Sequence, residues 1–110
     1  MTTRELIIRN IDGKNVTVPL DRDRITLGRS SANELCYPDD AGLSRQHLAL
    51  TRNGENWQVE DLGSKNGTWS KGRRIVSPEP LADGDEIRIG PAVLVFRAFV
   101  PGGATATALE

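Results

Sequence analysis

Leu48-Ala49-Leu50-Thr51-Arg52-Asn53-Gly54-Glu55-Asn56-Trp57-Gln58-Val59-Glu60-Asp61 reads as two short strands joined by a tight turn. Leu48 and Leu50 alternate with polar neighbours, as do Trp57 and Val59, so each run has one apolar face. Asn53-Gly54 between them is a strong hairpin signal. The same texture extends in both directions. Strands are expected over 5–9, 15–19, 24–27, 34–37, 47–52, 57–61, 67–69, 74–76, 85–89 and 92–99. Asp12-Gly13, Lys71-Gly72 and Asp83-Gly84 supply further turns, and no stretch has helical period and length. Residues 93–96 are apolar on both faces and are expected to form a central strand covered on both sides. Many short strands with regular turns predict an all-β sandwich.

Composition bounds the rest. The chain has 110 residues, enough for one domain with a single core. Lys and Arg total 14 against 15 Asp and Glu, a net charge of −1. Binding nucleic acid by phosphate neutralisation needs a basic surplus, so no nucleic-acid partner is expected. Cys36 is the single cysteine, which leaves no internal disulfide and fits a reducing compartment. The longest run of aliphatic and aromatic residues is 92–96, too short to cross a bilayer. The expectation is a cytoplasmic protein without membrane insertion. After Phe99 the composition turns to small, unpatterned residues, so 4–100 is expected to be the folded domain and 101–110 a flexible tail or linker.

Three polar segments sit at strand–loop junctions and suit holding a phosphate on a peptide. Gly28-Arg29 ends one strand, where glycine permits close backbone approach and arginine a bidentate contact. Ser44-Arg45-Gln46-His47 follows a polar loop and offers a hydroxyl and a guanidinium. His47, the only histidine, is expected to shape the loop under Ser44. Ser64-Lys65-Asn66-Gly67-Thr68 adds an ammonium and an amide able to grip a peptide backbone. Ser44, His47 and Asp61 also permit a hydrolase triad as a remote alternative.

In this order and spacing, Gly-Arg, Ser-x-x-His and Gly-Ser-x-Asn-Gly-Thr resemble a forkhead-associated (FHA) domain over roughly residues 5 to 99. The resemblance implies an FHA/SMAD-like sandwich of two twisted, mostly antiparallel sheets with about eleven strands. It implies loops at one end that bind phosphothreonine peptides, in signalling by a Ser/Thr kinase that the domain follows. By position, Arg29, Ser44, Arg45, Lys65 and Asn66 would hold the phosphopeptide, with Gly28, His47 and Gly67 supporting the loops. Arg73 and Arg74 would lie near the residue three past the phosphothreonine. The partner would be a phosphothreonine-containing protein, either a Ser/Thr kinase or its substrate; no enzymatic activity, cofactor or metal is expected. An interaction domain of the same fold with an unphosphorylated ligand is the alternative.

Overall fold

The computed structural model describes residues 2–11 and 13–100. Asp12 of the expected Asp12-Gly13 turn, and the expected tail 101–110, lie outside the described residues. Eleven strands follow in order: β1 (Thr3–Ile11), β2 (Lys14–Pro19), β3 (Arg24–Gly28), β4 (Leu35–Cys36), β5 (Leu48–Asn53), β6 (Asn56–Asp61), β7 (Trp69–Ser70), β8 (Arg73–Arg74), β9 (Glu79–Leu81), β10 (Glu86–Ile89) and β11 (Ala92–Phe99). They form a six-stranded sheet, β2-β1-β11-β10-β7-β8, and a five-stranded sheet, β4-β3-β5-β6-β9. The β3–β4 pair is parallel and the other pairs are antiparallel.

The period-two pattern sends alternate side chains between the sheets. Leu6 and Ile8 of β1, Ile87 and Ile89 of β10, and Leu94 and Phe96 of β11 face Leu27, Leu48, Leu50, Trp57 and Val59 of the other sheet, all at most 2% exposed. Each such aliphatic side chain stabilises the fold by about 1.5–3 kcal/mol through burial. Strand β11 is central in its sheet, as expected, but it is not covered on both sides. Val93 is half-buried on the outer face, and Val95 is shielded by cross-strand neighbours such as Ile7 and Glu86 rather than by another layer.

Several boundaries differ from the expectation. Asn53 pairs with Asn56, so the hairpin turn is Gly54-Glu55, with Gly54 at φ 66° in the first central position. Gly67 and Thr68, expected in a strand, belong to a loop, since Gly67 adopts φ 90° and Thr68 bonds back to Asp61. The expected strand 74–76 is instead the two-residue β8, which closes a hairpin on β7 through Lys71-Gly72. Strand β9 was not expected because Pro80 interrupts its pattern; it is tolerated at the sheet edge.

The contact that positions the functional end is a crossing at Gly28. A Cβ built there would collide with the Arg45 carbonyl oxygen, so the β4–β5 loop runs directly over the end of β3. The crossing is sealed by the Arg29 and Ser30 amides, which donate to the Ser44 and Arg45 carbonyls at 3.0 and 3.1 Å. Gly28→Ala forces backbone apart and is expected to lower unfolding free energy by roughly 1–3 kcal/mol or more, the range of overpacked sites. A denaturant titration reading near zero would contradict the crossing.

Candidate functional site

Three loops meet at this end of the sandwich: 29–34, 37–47 and 62–68. Arg29 leaves β3 with its backbone bound to Ser44, and its Nε donates to the Leu43 carbonyl at 2.6 Å. The two terminal guanidinium nitrogens are outside that bond, on an exposed side chain. Ser44 presents its hydroxyl between two loops. Its Oγ accepts the Lys65 amide at 2.9 Å, so its own O–H is left to donate elsewhere. Arg45 contributes its carbonyl to the crossing and leaves its side chain exposed. Arg29, Ser44 and Arg45 line one cavity of about 550 Å³, together with Gln46, Leu62 and Gly63.

Lys65 and Asn66 are not part of that cavity's wall. They are exposed on the adjoining loop, held to it by the Lys65 amide and by the Asn66 side-chain nitrogen, which donates to the Gly42 carbonyl at 3.0 Å. Arg74 packs its guanidinium across Gly67, where a Cβ would sit 2.7 Å from Nε, and its Nη2 donates to the Ser64 carbonyl at 3.3 Å. Arg73 turns to Glu79 instead, at 3.9 Å.

His47 carries the loops. It is 0% exposed, and its Nδ1 accepts the Ser44 amide at 3.2 Å. That donor requires an unprotonated Nδ1, so the ring is the neutral Nε2–H tautomer, and Nε2 donates to the Gly67 carbonyl at 2.9 Å. One buried side chain thus binds both loops. The same bonds dispose of the triad alternative. Ser44 meets His47 through its amide rather than its hydroxyl, both ring nitrogens are occupied by backbone groups, and the Asp61 carboxylate is bonded to Gly63, Ser64 and Thr68.

Two supporting residues escaped the sequence reading. Asn33, 6% exposed, donates from Nδ2 to the Ser30 and Arg45 carbonyls at 2.8 and 2.7 Å, clamping the crossing from below. Asp61, considered only as a triad acid, organises the 62–68 loop. Its carboxylate accepts the Gly63 and Ser64 amides and the Ser64 and Thr68 hydroxyls, and Ser64 Oγ in turn accepts the Gly67 amide. The Asp-x-x-Ser spacing was the available signal, being that of a side chain closing its own turn. Burial disfavours the charged form of Asp61, but the Ser64 and Thr68 hydroxyls and the two amides together outweigh it and hold the carboxyl below its ordinary pKa.

Because that pKa is depressed on folding, the carboxylate's stabilisation is complete above the unfolded value near 4 and is lost as pH falls through the folded one. Asp61→Asn replaces an acceptor by a donor facing amides. It is expected to lose roughly 1.5–3 kcal/mol or more at neutral pH, the scale of a hydrogen bond to a charged group. The stabilities of the two proteins should converge below about pH 4. Curves that stay parallel through the acid limb would contradict this role.

Comparison with known proteins places this geometry. The family model for the FHA domain matches residues 25–90. An oxoglutarate dehydrogenase inhibitor of Corynebacterium jeikeium is 39% identical over 77 residues, covering 70% of this chain and 52% of that protein; the chain thus spans about half the length of this relative. Among solved structures, Mycobacterium tuberculosis EmbR in complex with a low-affinity phosphopeptide superposes with a TM-score of 0.74 at 32% identity, over 86% of this chain and 24% of that one. A structure from a study of phosphothreonine-dependent FHA domain interactions gives a TM-score of 0.73 at 30% identity, over 86% of this chain and 95% of that one. The strand order, the loops gathered about His47 and these matches lead to one conclusion: the chain belongs to the FHA domain family.

Proposed function

We propose that this domain binds phosphothreonine segments of other proteins and does no chemistry on them. The observation that carries the reading is the convergence of Arg29, Ser44 and Arg45 on one cavity, in a chain whose net charge is −1. A phosphothreonine bears about −1.5 to −2 charges at neutral pH and three strong acceptor oxygens. The free nitrogens of Arg29 suit a bidentate contact, and the outward Ser44 O–H supplies a further donor. Lys65 adds charge at the rim. The Asn66 amide, bonded to the Gly42 carbonyl through Nδ2, is the group assigned to the peptide backbone.

The phosphopeptide in the EmbR complex and the phosphothreonine dependence named for the second structure support this assignment. The partner is a Ser/Thr kinase or one of its substrates, met in the cytoplasm. Residues 4–100 act as the binding module and 101–110 as a tail or linker. A binding role without catalysis is supported by His47, which gives both ring nitrogens to backbone groups and so is no base for the Ser44 hydroxyl.

Calorimetry with matched peptides tests the reading. The phosphothreonine peptide should bind and its unphosphorylated twin should not. Affinity should fall with added salt and below about pH 6, where the phosphate takes up its second proton. Arg29→Ala should weaken binding by roughly 2–5 kcal/mol. A phosphoserine peptide lacks one methyl, worth about 0.8 kcal/mol, and should bind at least about fourfold more weakly. Equal binding of phosphorylated and plain peptides would overturn the proposal in favour of a phosphate-independent interaction domain.

A further inference from the structure

The outer face of the six-stranded sheet carries a row of side chains that begins at the binding loops. Strand register sets Arg74 opposite Trp69, Trp69 opposite Arg88, Arg88 opposite Val93 and Val93 opposite Arg9. The neighbouring row, Ser70, Ile87, Leu94 and Ile8, is buried in the core. Side chains alternate along a strand, so Trp69, Arg88, Val93 and Arg9 share the solvent face. Trp69 is 40% exposed, which is unusual for a tryptophan with no layer above it, and Arg88 and Arg9 are exposed beside it.

Two arginines of this row make no ion pair among the described residues. Arg4, Arg52, Arg73 and Arg97 each meet a carboxylate, whereas among the described residues Arg88 and Arg9 enter no ion pair. A shallow cavity of about 270 Å³ joins Trp69, Lys71 and Arg88. Glu86 and Asp85 line the same cavity. Asp85 accepts the Ala82 amide, while Glu86 would repel an acid that slid past Arg88 and so confines it to the basic row.

The row is continuous with the proposed site, since Arg74 lies on the loop that bears Lys65 and Asn66. At about 4.8 Å between strands, Arg88 is roughly 10 Å from Arg74. An extended chain at about 3.3 Å per residue covers that in about three residues. A strip one row deep is far smaller than the ~1,200 Å² of a self-sufficient interface, so it will not hold a second copy or a free partner. Behind a phosphothreonine anchor it works at high effective concentration.

We infer that the bound partner carries, next in sequence to its phosphothreonine, an acidic stretch with an embedded apolar residue, and that this stretch lies along Arg74, Trp69 and Arg88. The carboxylates meet the arginines and the apolar side chain covers the indole. The inference rests on the phosphothreonine reading above.

The test uses the full chain, calorimetry at low salt and synthetic peptides. A short phosphothreonine peptide is compared with versions extended, on one side or the other, by Asp-Glu-Leu-Glu-Asp or by the neutral Asn-Gln-Leu-Gln-Asn. The acidic extension on one side should bind about fivefold tighter than the neutral one, the scale of two exposed ion pairs. Trp69→Ala and Arg88→Ala should abolish that gain while binding the short peptide like wild type, and Arg88→Glu should prefer a lysine extension. No gain on either side, or a gain that both variants retain, overturns the inference and leaves the phosphothreonine reading standing. Trp69-dependent binding of oligothymidylate without an acidic gain also overturns it, in favour of nucleic acid. Failure of the short phosphopeptide to bind overturns both readings.

Discussion

His47 has no solvent exposure and two ring nitrogens to satisfy. It satisfies them on backbone groups of two different loops, the Ser44 amide and the Gly67 carbonyl. A buried polar group left unpaired costs roughly 1–3 kcal/mol, so neither bond can be surrendered cheaply. The result is that the loop presenting Ser44 and the loop presenting Lys65 and Asn66 are fixed to a common post. The Lys65 amide then closes the gap between them on Ser44 Oγ. Everything the site offers a ligand hangs on that arrangement.

Two further locks act on either side of it. On the β3 side, Gly28 admits the Arg45 backbone and Asn33 holds it there, which sets Arg29 against Ser44. On the β6 side, Asp61 winds the chain into the turn that places Ser64 and Gly67. Each lock is anchored on backbone: Asn33 on the Ser30 and Arg45 carbonyls, Asp61 on the Gly63 and Ser64 amides as well as on two hydroxyls. The donors are therefore set before a ligand arrives, and less ordering entropy is lost on binding. On the proposed function, a phosphate would meet groups already aimed, and sequence preference would be left to the surfaces around the cavity.

Much of this was legible in the sequence, for reasons that differ by element. Strands β6 and β10, and Leu6 and Ile8 of β1, bury alternate residues on one face, which period-two alternation reveals directly; β5 and β11 each bury three residues in a row, and their apolar runs still mark them as strands. The two-residue strands β4, β7 and β8 are created by their partners, so no local pattern marks their ends. Strand β9 hides behind Pro80, which an edge position tolerates. At the site, the sequence motifs marked the loops that meet there, and the bonds of His47 to Ser44 and Gly67 fit the loop-shaping part expected of it. The work of Asn33 was not, because its partner Arg45 lies twelve residues away and is reached through a carbonyl that every residue possesses. Asp61 looked like a possible acid because an isolated carboxylate reads the same whether it relays protons or closes a turn.

The central claim is that the loops bearing Ser44 and Lys65 are joined before any ligand binds. Amide hydrogen exchange in the free protein tests it most directly, read at Ser44 and Lys65. Both amides lie in loops, yet both donate to side chains fixed by the fold. The account predicts that they exchange as slowly as the β5 and β6 amides, opening only when the sandwich opens. Exchange at the rate of an unstructured loop in the free protein, with protection appearing only when phosphopeptide is added, would contradict it.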